Sequence, residues 1–194
     1  MPLFDSVIAD MMNYNEVNIT VTPSSAQMNG EDIAWGASDR GILYDLYQKY
    51  AKGYAKFYKM DTLSQLGFIA AEILLQHYPL TPQQHDDCAI MFGNSCASIK
   101  NDKDYLQTIS DPNSYYPSPS LFVYTLPNIV TGEIAIRHKL YGETCFYVLE
   151  NKEQLFELAD HQLRLMHINA ALIGWVECEN ENNFYANIKL LWKN

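Results

Sequence analysis

The chain has 194 residues, of which 48% are hydrophobic and 13% aromatic. That length suits one domain over 1–194 with a single buried core, and that composition excludes a disordered chain. The net charge of −10 argues against nucleic acid, which needs cations to displace counterions, and against an anionic membrane surface. No apolar run reaches the ~18 residues that span a bilayer. Met1 to Asp5 carries no basic, cleavable leader pattern, so a cytoplasmic protein is expected. Cys88, Cys96, Cys145 and Cys178 show no zinc-ligand spacing and no tight framework, and read as buried thiols.

Taken in order, Phe4, Val7, Ile8 and Met11 stand at helical spacing. Val17 to Thr22 (VNITVT) alternates with β-branched residues and reads as the first strand. Pro23 to Gly41 reads as loop, with a turn at Asn29-Gly30. Ile42 to Tyr58 reads as a helix. Tyr44, Tyr47, Tyr50, Tyr54 and Tyr58 recur there at threes and fours, and so do Lys49, Lys52, Lys56 and Lys59. The lysines read either as a solvated face lying over tyrosine rings or as a docking stripe for an acidic partner.

Asp61 is a good N-cap for Leu63 to Tyr78, a helix apolar nearly all round. Pro79 and Pro82 stop it. Cys88 to Phe92 is the second strand, followed by the small-residue loop Gly93-Asn94-Ser95-Cys96-Ala97. Asp104 to Ile109 is a short helix or turn. Ser118-Pro119 keeps the chain extended. Leu126, Val130 and Ile134 then keep helical spacing, and Pro127 predicts a break at Leu126 with a fresh helix behind it. Arg137, His138 and Lys139 fill its last turn, where the dipole favours cations, and Gly142 is the stop.

Thr144 to Leu149 reads as the third strand. Lys152 to Ile168 is an amphipathic helix: Leu155, Phe156, Leu158, Ala159, Leu163, Leu165 and Met166 fill one half, and Glu153, Glu157, Asp160, His161, Arg164 and His167 the other. Ala171 to Val176 and Phe184 to Trp192 are the fourth and fifth strands, joined by a polar hairpin loop over Glu177–Asn183.

The stretch from Pro117 to Leu149 resembles the N-terminal half of the β-ketoacyl synthases, enzymes of the thiolase-like fold. The residues that carry the resemblance are Pro119, Phe122, Pro127-Asn128, Gly132-Glu133-Ile134-Ala135-Ile136 and Gly142. The resemblance implies an α/β fold: a single thiolase-like half-domain with a five-stranded mixed sheet, order 3-2-1-4-5, and helices on both faces. Right-handed crossovers would put the first two core helices on one face and the third on the other. It places the family's nucleophilic cysteine near Asn151, where there is no thiol. The chain runs to Asn194, about half the family's usual length, so the second half with its catalytic histidines is expected to be missing. The charged outer side of the 152–168 helix fits a half-fold without that mate.

The strand Thr144, Cys145, Phe146, Tyr147, Val148 and Leu149 corresponds to the family's dimer edge. The expected function is therefore a non-catalytic β-ketoacyl-synthase-like accessory protein in fatty-acid or polyketide-type biosynthesis. Its partners would be a second copy, a full-length β-ketoacyl synthase or an acyl carrier protein, with the lysine stripe as docking face. The alternative is a small acyltransferase or thioesterase using Cys96. A reactive cysteine needs a base and a positive setting, and the sequence puts none of His77, His85, His138, His161 or His167 beside Cys96 or Cys145. No metal site and no cofactor is expected, because phosphate-loop and dinucleotide motifs are missing from the sequence.

Overall fold

A computed structural model describes residues 14–113, 115–166 and 168–193. The expected N-terminal helix around Phe4–Met11, and His167, lie outside these residues. The first strand, β1 (Asn15–Thr22), turns Val17, Ile19 and Val21 to the core and Glu16, Asn18 and Thr20 away from it. Where a loop was expected from Pro23 onward, the chain doubles back twice, as β2 (Ser25–Met28) and β3 (Glu31–Asp32). These strands are short and polar, so no alternating pattern announced them. The Asn29-Gly30 turn did hold: both residues have positive φ, 51° and 83°, as a two-residue hairpin turn requires.

The helix expected over Ile42–Tyr58 is three pieces. A short helix α1 (Ile42–Leu46) loosens into a π-helical turn at Tyr47–Ala51, and a 3₁₀ turn follows at Ala55–Lys59. The break falls at Lys52-Gly53, where Gly53 has φ 101°. A right-handed helix cannot pass through that angle, so the tyrosines and lysines do not form one stripe.

Helix α2 (Thr62–His77) begins as expected, with the Asp61 carboxylate accepting the Leu63 and Ser64 N–H groups at 3.3 and 3.1 Å. Pro82 starts a helix instead of only stopping one. In α3 (Pro82–Asp87) Thr81 and Gln84 form a reciprocal capping box with proline in the first turn. Then come β4 (Ala89–Asn94), α4 (Ile99–Gln107), α5 (Pro119–Val123) and α6 (Ile129–His138). The break at Leu126 is present, with Pro127 just ahead of the Asn128 cap. The helix stops earlier than expected, because Lys139 takes the left-handed conformation at φ 53°. Gly142 is needed for another reason: a Cβ there would stand 2.3 Å from the Cys88 carbonyl oxygen.

The chain closes with β5 (Thr144–Val148), α7 (Lys152–Met166), β6 (Ala170–Asn180) and β7 (Asn183–Trp192). The polar run expected as a hairpin loop is mostly ladder, since Glu177 pairs with Tyr185 and Cys178 with Phe184. Leu165 and Met166, placed on the apolar half of α7 by periodicity, are exposed at its last turn.

Among the described residues the sheet has seven strands in the order β3-β2-β1-β7-β6-β4-β5. The expected five strands and the order 3-2-1-4-5 are corrected: the first strand lies beyond the last one, antiparallel to β7. The reason is burial. β4 and most of β6 are buried on both faces and take the centre, flanked in parallel by each other and by β5. β1 is apolar on one face only and belongs where one face is wet. Helices α2 and α6 cover one face with a large core, and α7 covers β4 and β6 on the other through Leu155, Ala159 and Leu163. That is the expected division of the core helices.

Candidate functional site

Asn151, where the resemblance placed the nucleophile, caps a helix. Asn151 precedes α7, and its Oδ1 accepts the Gln154 N–H at 3.1 Å. Gln154 in turn accepts the Glu150 N–H through its side-chain oxygen at 3.1 Å. An amide engaged in this way satisfies the helix terminus, and its nitrogen pair, delocalised into the carbonyl, is a poor nucleophile.

Cys96 sits in the turn after β4. The Asn94 side chain holds that turn by accepting the Cys96 and Ala97 N–H groups. Glu177 of β6 accepts the Ser95 N–H at 2.8 Å, and its other oxygen lies 3.5 Å from the Cys96 sulfur. Burial, and then the Glu177 carboxylate, push the thiol up to about 11. A carboxylate where a nucleophilic cysteine needs an imidazole keeps the sulfur protonated. Burial likewise raises Cys145, and takes Cys88 and Cys178 to about 12. Among the described residues no cluster of histidine, cysteine and carboxylate is placed to hold a metal ion, and no helix is long and apolar enough to cross a membrane.

The four lysines are dispersed. Lys49 donates to the Ala34 carbonyl at 2.9 Å. Lys56 is paired with Glu133 at 2.6 Å. Lys52 is exposed at the break, and Lys59 lines a cleft on another side of the 3₁₀ turn.

The residues of the third predicted strand do come together, as an open edge. Among the described residues β5 pairs with β4 alone. The Glu143 carbonyl accepts from Ile90, and the Leu149 N–H donates to the Asn94 carbonyl. By alternation Cys145 and Tyr147 also bond inward, so the N–H and C=O groups of Thr144, Phe146 and Val148 point outward. The Phe146 side chain packs against the α2–α6 core, and Cys145, Tyr147 and Leu149 pack on the α7 side. Val148 of β5 is 57% exposed, and Ile136 of α6 and Tyr141 in the connection to β5 are 68% and 71% exposed.

Helix α6, which leads into β5, is clamped to α2 by charges. Glu72, 2% exposed in the middle of α2, accepts from Arg137 at 2.9 and 3.1 Å and from Gln76 at 2.8 Å, with His138 Nε2 at 3.0 Å. Burial pushes Glu72 up, but the opposing pull of His138 and Arg137 wins and holds its carboxyl at about 2. Glu133, one turn before Arg137, takes Lys56 and the Tyr54 hydroxyl. Dipole reasoning placed Arg137 and His138 in the last turn but missed this clamp. The signal was available: Glu72 is the one carboxylate in a helix apolar nearly all round, and a buried carboxylate needs partners.

No protein-family model matches the chain, and no curated protein does. Solved structures match its fold. The ketosynthase ApeO in complex with its chain length factor ApeC from Xenorhabdus doucetiae matches over 93% of this chain and 77% of that one, at 14% identity and TM-score 0.59. The ishigamide ketosynthase/chain length factor matches over 91% of this chain and 61% of that one, at 13% identity and TM-score 0.62. A β-ketoacyl synthase from Burkholderia phymatum matches over 73% of this chain and 44% of that one, at 12% identity and TM-score 0.53. The fold is thus ketosynthase-like, of the thiolase-like kind, and the chain spans less than two thirds of the length of the second and third of these structures.

Proposed function

We propose that this chain is a non-catalytic, ketosynthase-like accessory subunit of polyketide- or fatty-acid-type assembly, and that its β5 edge pairs with a full-length β-ketoacyl synthase. The observation that carries this is the uncharged edge strand Thr144–Val148, which among the described residues pairs with β4 alone and whose Val148 is exposed. Such an edge invites another strand unless it is covered. The Asn151 cap, in place of a thiol, supports a subunit that leaves condensation to its partner. Two of the structural neighbours pair a ketosynthase with a chain length factor, an arrangement that the same edge would serve here. An acyl carrier protein is a second proposed partner, and the exposed Lys52 and Lys59 are the cations of the original stripe that remain for it.

The test is co-expression with a β-ketoacyl synthase from the same host, followed by size-exclusion chromatography with light scattering. A one-to-one complex is expected, and mass spectrometry after incubation with an acyl thioester should show acylation of the synthase but none of this chain. A monomer that captures no synthase would sink the proposal. So would acylation of Cys96, which would move the reading to the acyltransferase alternative.

A further inference from the structure

A cleft of about 470 Å³ opens beside the N-terminus of α2, and its lining includes neither Asn151 nor any residue of β5. It lies where the turns after β1 and β6 come together, near the carboxyl ends of the parallel strands, the usual place for ligands in open α/β sheets. Three features mark it as built. Its wall includes α1 and the 3₁₀ turn that flank the π-helical turn at Tyr47–Ala51, and π-helical turns concentrate at functional positions. One side is knit by buried polar groups instead of apolar packing. Asn101, 3% exposed, donates to the Asp61 carboxylate and to the Tyr124 carbonyl, and Ser98, 4% exposed, bonds the Thr125 carbonyl. Buried networks of this kind fix a shape at a cost in stability. Finally, the lining sets Arg40, Lys59 and Lys100 against Asp61, Asp104 and Glu181; Lys100 pairs with Asp104 and Asp61 is taken up by the α2 N-terminus and Asn101, whereas Arg40 and Lys59 make no ion pair among the described residues. Arg40 lies 4.6 Å over the Tyr44 ring, and Tyr58, Tyr124 and Phe184 supply further aromatic lining.

We infer that this cleft binds a small organic acid. Its carboxylate would meet Arg40 and Lys59, and its alkyl or aryl body would lie on Tyr44, Tyr58 and Phe184. The volume fits a ligand of that class, and the guanidinium offers a planar fork to a carboxylate. The inference is independent of the pairing proposed for β5.

The experiment is saturation-transfer NMR, with affinities by calorimetry, on the whole chain and with three probes: hexanoate, 4-hydroxybenzoate and neutral hexanol. Saturable binding of at least one acid, and none of the alcohol, is expected. In R40Q/K59Q that affinity should fall by about tenfold or more, while Lys152→Gln, a cation outside the lining, leaves it unchanged. Equal binding of hexanol would overturn the anionic head, and undiminished binding in R40Q/K59Q would overturn the cleft as the site. Failure of both acids to bind would overturn the inference, and none of these results would bear on synthase pairing. Thermal melts of R40Q/K59Q within about 2 °C of the wild type would confirm that lost binding is not lost fold.

Discussion

The two edges of the sheet are treated in opposite ways. At one end β3 has two residues, Glu31 and Asp32, both charged and exposed. At the other, β5 has five residues without a charge, three of them with backbone groups aimed at solvent. Proteins blunt an edge by making it short and charged. This chain does so at β3 and not at β5. The helix that leads into that edge, α6, is tied to α2 by Glu72 with Arg137 and His138.

Breaking the difference should be easiest at Val148. Val148→Lys puts a charge on the open edge at an exposed position, and association with the partner synthase should weaken by about 100-fold or more. Its melting temperature should stay within about 2 °C, which calorimetry would check. Removing the clamp comes next. Glu72→Leu leaves Arg137 and His138 without their anion and should cost about 3 kcal/mol in urea unfolding, toward the low end for breaking a buried pair because Arg137 reaches water.

Gly142→Ala forces a methyl group onto the Cys88 carbonyl at the start of the β4–β5 ladder. It should cost about 2 kcal/mol by the same measurement. The clamp also predicts a pH window. The folded Glu72 carboxyl is held at about 2 against an ordinary value of 4.5. Its contribution is therefore fully present above about 4.5 and is lost as pH falls toward about 2. In E72Q that part of the acid-side decline should flatten, and an unchanged profile would count against the clamp. The smallest effect is expected from sharpening the comparison at the other end. E31T/D32V removes the charges of β3 but not its shortness, so self-association should stay weaker than about 0.1 mM by sedimentation.

Much of the scaffold was legible because it depended on neighbours in sequence. Asp61 as a cap, the break ahead of Pro127, the Asn29-Gly30 turn and the strand at Thr144–Val148 each follow from backbone preferences of a few residues. The resemblance through Pro119–Gly142 pointed to the ketosynthase-like fold that the structural neighbours share. Other features were hidden for stated reasons. β2 and β3 pair through polar residues that leave no periodic trace. Lysine spacing suggested one face only while Ile42–Tyr58 was taken as one helix, and Gly53 breaks it. The Cys96 thiol could be set in its loop but not beside Glu177, 81 positions away.

The sequence by itself determined where most elements begin and end and which faces are apolar, because caps, turns and hydrophobic periodicity act over a few residues. It also determined that no thiol stands at Asn151. Strand order, the open edge, the clamp at Glu72 and the cleft beside Asp61 were decided only in three dimensions. Each rests on contacts between segments far apart in the chain, where burial and charge pairing, rather than local backbone preference, select the arrangement.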